Sequence, residues 1–443
     1  MNYEDLKRKI EEKSSVIGII GMGYVGLPMA SLFASRGYRV KGADINKKLV
    51  KKINAGTSPI NETGLKEIIK EGVGEGRLTA TTDVDGVVKE SDVIVIVVQT
   101  PINEENRPNL TAFKSACNTV AGSISKGKLV LVESTVPPGT MENMVVPILE
   151  KSKLKAGDDF FLVYSPERAI PTRTLEEIQT NSRVIGGINE ESSKLARILY
   201  SSITTGELMT TNLGTAEMVK IIENTYRDVN IALANEIAML CERLGVDAIE
   251  AINMANKHPR VNLHLPGPGV GGHCIPKDPY FLIGKAEELG MELKIISSAR
   301  EINENMPSHL LGLIERSLKK VNKDLKTSKV SILGIAYKGN TDDTRGTPSE
   351  EVIKSLMKMD ADVVSHDPFV SQDFGGKFSN SLEEVIEDSD CVVILTDHDL
   401  YKKMDLKSFA SLMNKPSVVI DSRRILKPEA VERAGAMYSG IGR

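Results

Sequence analysis

The chain predicts an α/β protein: two doubly wound parallel-sheet domains joined by a central helical domain with a long spanning helix. Three observations predict it. Short apolar runs that end at glycine turns occur in both the first and the last third of the chain, as strands buried on both faces do. From Thr215 to Leu244 there is neither Gly nor Pro, which reads as one helix about 45 Å long, more than a single small domain needs. Finally, Ser91-Asp92-Val-Ile-Val-Ile and Ser389-Asp390-Cys-Val-Val-Ile share a pattern, so one architecture, Rossmann-like in both copies, is used twice. The expected sections are 1–210, 211–307 and 308–443, and 443 residues suffice for a core in each.

Taken in order, Val16-Ile-Gly-Ile-Ile20 is the first strand and runs straight into Gly21-Met-Gly23-Tyr24-Val25-Gly26, with Leu27 to Ser35 as the following helix. A strand, then G-x-G-x-x-G, then a helix is the context in which backbone amides cradle a dinucleotide pyrophosphate. The next strand, Arg39 to Ala43, ends at Asp44, placed to hold ribose hydroxyls and to repel a 2′-phosphate, so the expected cofactor is NAD. Strands are also expected at Asp92 to Gln99, breaking at Thr100-Pro101, and at Leu129 to Glu133, ending in Ser134-Thr135. Loops at such strand ends bind the ligand in an open α/β sheet, which makes Thr100 and Thr135 cofactor candidates. Phe160 to Tyr164 leads to Glu167 and Arg168, two charges that either serve chemistry or pair with each other.

On the long helix Lys220, Asn224 and Arg227 share one face, which is a solvated surface or the edge of a site. The helix is expected to continue into Asp247 to Ala255, and Lys285 to Asn305 to return to helix with Pro307 interrupting. In the last third the strands are Val330 to Leu333, Ala361 to Ser365 with Asp367 at its end, Cys391 to Thr396, and Ser417 to Ile420. Lys338, Arg345 and Arg423 lie at strand ends, where cations suit a second phosphorylated ligand.

The stretch Pro266-Gly-Pro-Gly-Val-Gly271-Gly-His273-Cys274-Ile-Pro-Lys277-Asp278-Pro279 cannot form a regular helix or a central strand. It suits a fixed loop that carries Cys274, either a nucleophile among polar neighbours or a small packed residue. His258, His264, His273 and Cys274 share a segment but lack the usual close zinc-ligand spacing, so no metal is expected.

Bulk properties exclude other classes. A net charge of −4 from 56 basic and 60 acidic residues gives no electrostatic footprint for nucleic acid. The longest apolar run, Val93 to Val98, is too short to span a bilayer. Four cysteines without paired spacing fit reduced thiols in the cytoplasm.

Together the motifs resemble the UDP-glucose/GDP-mannose dehydrogenase family over nearly the whole chain. They are Gly21 to Pro28, Glu133-Ser-Thr135-Val-Pro, Ser165-Pro-Glu167-Arg168, Lys220 with Asn224, Gly271-Gly-His-Cys274, and Ala336-Tyr337-Lys338 through Asp343-Thr-Arg345. The resemblance implies NAD-dependent four-electron oxidation of the C6 alcohol of a UDP-sugar. The segment from His258-Pro-Arg260-Val to Cys274 most resembles the N-acetylmannosamine branch, with UDP-N-acetylglucosamine and UDP-glucose as alternative substrates; that branch often has an uncharged residue where Lys277 stands. The resemblance further implies Cys274 as nucleophile, Lys220 and Asn224 at the C6 oxyanion, and Asp278 or Glu167 on the hydrolytic water. It implies substrate contacts at Arg168, Ala169, Arg227, His258, Arg260, Gly271, Tyr337, Lys338 and Arg423, and a cofactor contact at Arg345. It also implies a homodimer in which Arg260 reaches the other subunit's site. A sugar-nucleotide epimerase and a non-catalytic NAD-binding module are the readings from other classes.

Overall fold

The computed structural model describes residues 2–60, 62–170 and 173–443. It falls into two compact units, Met1–Glu223 with Tyr280–Gly290, and Asn224–Pro279 with Met291–Arg443.

The first unit is built on eight strands: β1 (Val16–Ile20), β2 (Arg39–Ala43), β3 (Leu78–Thr81), β4 (Val93–Ile96), β5 (Leu129–Val132), β6 (Phe161–Tyr164), β7 (Arg183–Gly187) and β8 (Leu208–Asn212). Their order in the sheet is β3-β2-β1-β4-β5-β6-β7-β8, parallel except where β6 meets β7. Alternate residues of each central strand feed two cores. Ile17, Ile19, Val93, Val95, Leu129 and Leu131 pack on one side, and Ile94, Ile96, Val130 and Val132 on the other. With both faces covered, nothing selects polar residues at every second position, which is why these strands read as unbroken apolar runs.

The second unit carries six strands: β9 (Lys329–Leu333), β10 (Asp362–His366), β11 (Lys377–Phe378), β12 (Cys391–Ile394), β13 (Ser417–Asp421) and β14 (Ala436–Gly440). The order β11-β10-β9-β12-β13-β14 repeats that of the first six strands of the other sheet. The repeated Ser-Asp pair performs the same task in both. Asp92 accepts the amide of Val16 at the start of β1 and Asp390 that of Lys329 at the start of β9. Ser91 and Ser389 each bond the carbonyl four residues back.

Three expectations change. The strand expected from Asp92 to Gln99 ends at Ile96, because the chain beyond leaves the ladder for the Ser134 side chain, which bonds both the amide and the carbonyl of Val98. The long helix, Leu213–Leu244, does not continue into the next. Gly245 takes φ 67° and ends it, and Asp247 caps a separate helix, Ala248–Ala255, through the amides of Ile249 and Glu250. Lys285 to Asn305 is likewise not one element. Helix Asp278–Glu288 stops before Gly290, and a new helix, Lys294–Lys320, carries Pro307 inside it. That helix buries Ala299, Asn303, Met306, Pro307, Leu310 and Ile314 on one face, so tertiary burial outweighs the single backbone bond that proline forgoes. Among the described residues, no helix is long and apolar enough to cross a membrane.

Candidate active site

In the first unit the glycine loop leaves β1 and enters helix Gly26–Ser35. A Cβ on Gly21 would lie 2.0 Å from the carbonyl oxygen of Val97, and one on Gly26 would lie 1.9 Å from that of Gly21. Both glycines are therefore fixed by backbone packing. Gly23 differs: a Cβ there would meet nothing within 4 Å, so its freedom from a side chain serves something other than the protein's own packing. Tyr24 is exposed beside it, and Val25 at the helix N-cap supplies no side-chain cap. Asp44, just past β2, accepts the amide of Met22 at 2.9 Å and that of Asn46 at 2.8 Å. Thr100 donates to the carbonyl of Thr135 at 2.6 Å, tying the ends of β4 and β5 together. An open glycine, uncapped helix amides and an acid at the next strand end fit the pyrophosphate and ribose of NAD.

At the end of β6, Glu167 and Arg168 do not pair with each other. Arg168 makes a bidentate ion pair with Glu223 of the long helix and also donates to the carbonyl of Ser182. Glu167 receives the amide of Ala169, and burial pushes its carboxyl upward while the charge of Lys220 is the largest influence pulling it down. Lys220 is buried. Below them Glu133 is held by Arg183 at 2.9 Å and by the Tyr200 hydroxyl, and burial raises it as well.

In the second unit, Asn224 is buried and sits one helical turn beyond Lys220. Its amide donates to Asp278, and its carbonyl oxygen accepts from Arg227. The Lys220 to Arg227 face is thus no solvated surface, since two of its three residues are buried. Cys274 is half-buried in the glycine–proline loop, and its carbonyl accepts the amides of Lys277 and Asp278, the first turn of helix Asp278–Glu288. Lys277 is buried, with its ammonium 3.7 Å from Asp278. The Cys274 sulfur lies 3.9 Å from Nδ1 of His273. Burial and the charges of Lys277 and Arg345 hold that imidazole down at about 4, so it is neutral at pH 7. The Tyr337 phenol is pushed up to about 12, chiefly by burial.

The loop packs tightly on three further candidates. A Cβ on Gly271 would meet Tyr337 at 2.5 Å, one on Gly267 would meet Arg423 at 3.1 Å, and the amide of Gly272 bonds the carbonyl of Arg345. Arg423 bonds the carbonyls of Leu395 and Tyr337, and Arg345 is forked onto Asp343. Lys338, His258 and Arg260 stand exposed, and Ala169 is half-buried. Among the described residues no three His, Cys, Asp or Glu side chains cluster as a metal site would need.

Sequence reasoning missed Glu217. It is fully buried on the long helix one turn before Lys220 and receives the amides of Gly139 and Met141, both at 2.7 Å. An acid inside Ala216-Glu217-Met-Val-Lys220-Ile221, on a face with buried Ala216 and Ile221, was the available signal.

Two doubly wound sheets, one with a dinucleotide-binding glycine loop and the other beside a cysteine-bearing loop, define an NAD-dependent oxidoreductase with a second ligand. Models of the UDP-glucose/GDP-mannose dehydrogenase family match its NAD binding domain at residues 15–204, its central domain at 214–305 and its UDP binding domain at 331–428. The chain belongs to that family of nucleotide-sugar dehydrogenases. It is 43% identical over 427 residues to a UDP-N-acetyl-D-mannosamine dehydrogenase of Pyrococcus horikoshii, spanning 96% of this chain and 99% of the relative. It is 41% identical to one of Methanocaldococcus jannaschii, with 96% of each chain covered. The solved structure of the Pyrococcus horikoshii UDP-D-ManNAc dehydrogenase superposes with a TM-score of 0.91 at 43% identity, covering 97% of this chain and 99% of that one.

Proposed function

We propose that this enzyme oxidises the C6 alcohol of UDP-N-acetyl-D-mannosamine to the carboxylate, giving UDP-N-acetyl-D-mannosaminuronate. The observation that carries the substrate is the high identity, across almost the full length, to relatives named for that sugar. Held at the glycine loop, NAD would supply the hydride acceptor for each of the two oxidations. Lys220 and Asn224 hold the C6 oxygen as it becomes anionic, and Lys220 also carries its proton. The Cys274 thiolate adds to the aldehyde carbon to give a thiohemiacetal, whose oxidation leaves a thioester that water hydrolyses. Asp278 orients that water, with Glu167 as the second candidate. The bond from Asn224 to Asp278 supports a shared role for the two.

We assign NAD binding to section 1–210, with Gly21, Gly23, Tyr24, Val25, Gly26, Asp44, Thr100 and Thr135 as contacts, and a further cofactor contact to Arg345 of section 308–443. Section 211–307 carries Cys274 and the dimer contact, and section 308–443 grips the uridine diphosphate. Arg168, Ala169, Arg227, His258, Arg260, Gly271, Tyr337, Lys338 and Arg423 contact the substrate. A homodimer through the long helix accounts for its exposed Ile222, Tyr226, Leu233, Leu240 and Leu244, spaced by fours and sevens along one stripe. The four cysteines stand as free thiols, which supports a cytoplasmic enzyme.

The test counts NADH formed per UDP-sugar over a panel of UDP-hexoses and UDP-N-acetylhexosamines. Two NADH, with the highest kcat/KM on UDP-N-acetyl-D-mannosamine, is the expected result. Equal turnover of UDP-N-acetylglucosamine or UDP-glucose overturns the sugar. Zero net NADH with conversion means an epimerase, and no turnover means a binding module.

A further inference from the structure

The two sheets share a strand order, so their corresponding strand ends can be compared directly. Asp44 follows β2 and Asp367 follows β10 at the same place in each unit. Their surroundings differ. Asp44 is half-buried and takes one amide from the glycine loop and one from its own turn. Asp367 is only 3% exposed. One of its oxygens accepts the amides of Ile335 and Ala336, at 2.7 and 3.0 Å, and also Nε2 of His398 at 3.0 Å. The other accepts the amides of Phe369 and Val370, at 2.8 and 3.1 Å. A carboxylate offers about four lone-pair sites, and these five donors fill them. The acid that meets a ribose in the first sheet has nothing left to offer one in the second.

His398 shows what Asp367 does instead. The ring is fully buried, and its Nδ1 accepts the amide of Asn340 at 2.9 Å. A nitrogen that accepts from an N–H carries no proton, so the ring's proton sits on Nε2 and is donated to Asp367. The segment between these anchors is Ile335-Ala336-Tyr337-Lys338-Gly339-Asn340. Asp367 holds its first two amides, and His398 holds its last. Thr396 donates to the carbonyl of Ala336, Arg423 to that of Tyr337, and Asp397 takes the amide of Gly339. Within the segment Lys338 and Asn340 are exposed and Tyr337 is half-buried.

We propose that Asp367 and His398 form one clamp that positions the Ala336–Asn340 loop, and with it Tyr337 and Lys338, for the nucleoside diphosphate of the substrate. Both are positioning residues rather than catalytic ones, because they act through the loop. The inference rests on the reading of the second sheet as the uridine-diphosphate side of the enzyme. It also fits the match of this sheet to a UDP binding domain, where the first sheet matches an NAD binding domain.

The experiment measures UDP binding by calorimetry and steady-state KM values in His398→Ala, Asp367→Asn and the double variant. NAD binding and thermal melting serve as folding controls. Each single variant should weaken UDP and raise the KM for UDP-sugar about tenfold, as expected for losing a buried hydrogen-bonded anchor. The KM for NAD and kcat at saturation should stay within about twofold. The double variant should lose little more than either single one, because the two residues act as a unit. Unchanged UDP affinity in folded variants overturns the clamp, as do equal losses in UDP-sugar and NAD binding, which would mark a general defect of the fold. Wild-type protein that binds no UDP overturns the reading of the second sheet and the clamp with it.

Discussion

Replacing Glu217 with glutamine should change how stability depends on pH. Glu217 is fully buried, and each carboxyl oxygen takes one backbone amide, from Gly139 and Met141. Burial is the largest influence and raises the group to about 7; the amides oppose it, and Glu142 adds to the rise. Each tenfold change in proton affinity is about 1.4 kcal/mol, so the displacement from 4.5 to about 7 amounts to about 3 kcal/mol. Because the folded value lies above the unfolded one, that contribution is fully present below about pH 4.5 and is lost as pH rises through about 7. A glutamine side chain cannot ionise and matches the neutral acid in shape. Between pH 5 and pH 8 the Glu217→Gln variant should therefore gain about 2.5 kcal/mol relative to wild type, the remainder having been lost already below pH 5. Urea unfolding at the two pH values, followed by circular dichroism, measures the difference. A stability gap that stays constant within ~0.5 kcal/mol would refute the reasoning, since Glu217 would then titrate alike in both states.

Three further outcomes are expected. Lys220→Ala should lower kcat by on the order of 10²-fold or more with little change in the KM for UDP-sugar, because its charge matters most as the C6 oxygen becomes anionic; a raised KM alone would move it to ground-state binding. Gly23→Ala should melt like wild type but lose NAD affinity by calorimetry, since its Cβ meets no protein atom, whereas Gly26→Ala should lower Tm because its Cβ meets the carbonyl of Gly21; the reverse pattern would put the open space at Gly26 instead. Alkylation of Cys274, followed by mass spectrometry, should track loss of activity and slow down with substrate bound, and full activity with Cys274 alkylated would remove it from the chemistry.

What could be read from the sequence divides along a physical line. The central strands were legible because a strand covered on both faces selects apolar residues at every position, and Val16–Ile20 falls where expected. The glycine loop was legible because its demand is on the backbone, and only glycine meets it. β8 carries a Leu-Met-Thr-Thr-Asn run with mostly exposed positions, so no such pattern marked it. Residues whose partners are distant in sequence were hidden as well. Glu217 bonds an amide 78 residues away, and His398 reaches Asp367 across 31 residues and Asn340 across 58. Nothing in a local window records such a bond. Arg168 shows the reverse case, where adjacency offered Glu167 as one possible partner and the helix supplied Glu223.

The charges around Cys274 fit together once His273 is read as neutral. An imidazolium next to the sulfur would be the obvious counter-charge for a thiolate, yet this ring is held down at about 4. Burial is the first cause, and the next two are the positive charges of Lys277 and Arg345. Arg345 spends much of its field on Asp343, to which it is forked. Lys277 is buried, with its ammonium 3.7 Å from Asp278. These two charges add to burial at a ring whose Nδ1 stands 3.9 Å from the Cys274 sulfur. The other thiols differ in kind: burial pushes Cys117 up to about 12 and raises Cys391 as well, while Cys274 alone among the four is not buried. Lys277, read from the sequence as a departure from the branch that the chain most resembles, is thus a buried cation acting on the ring beside Cys274.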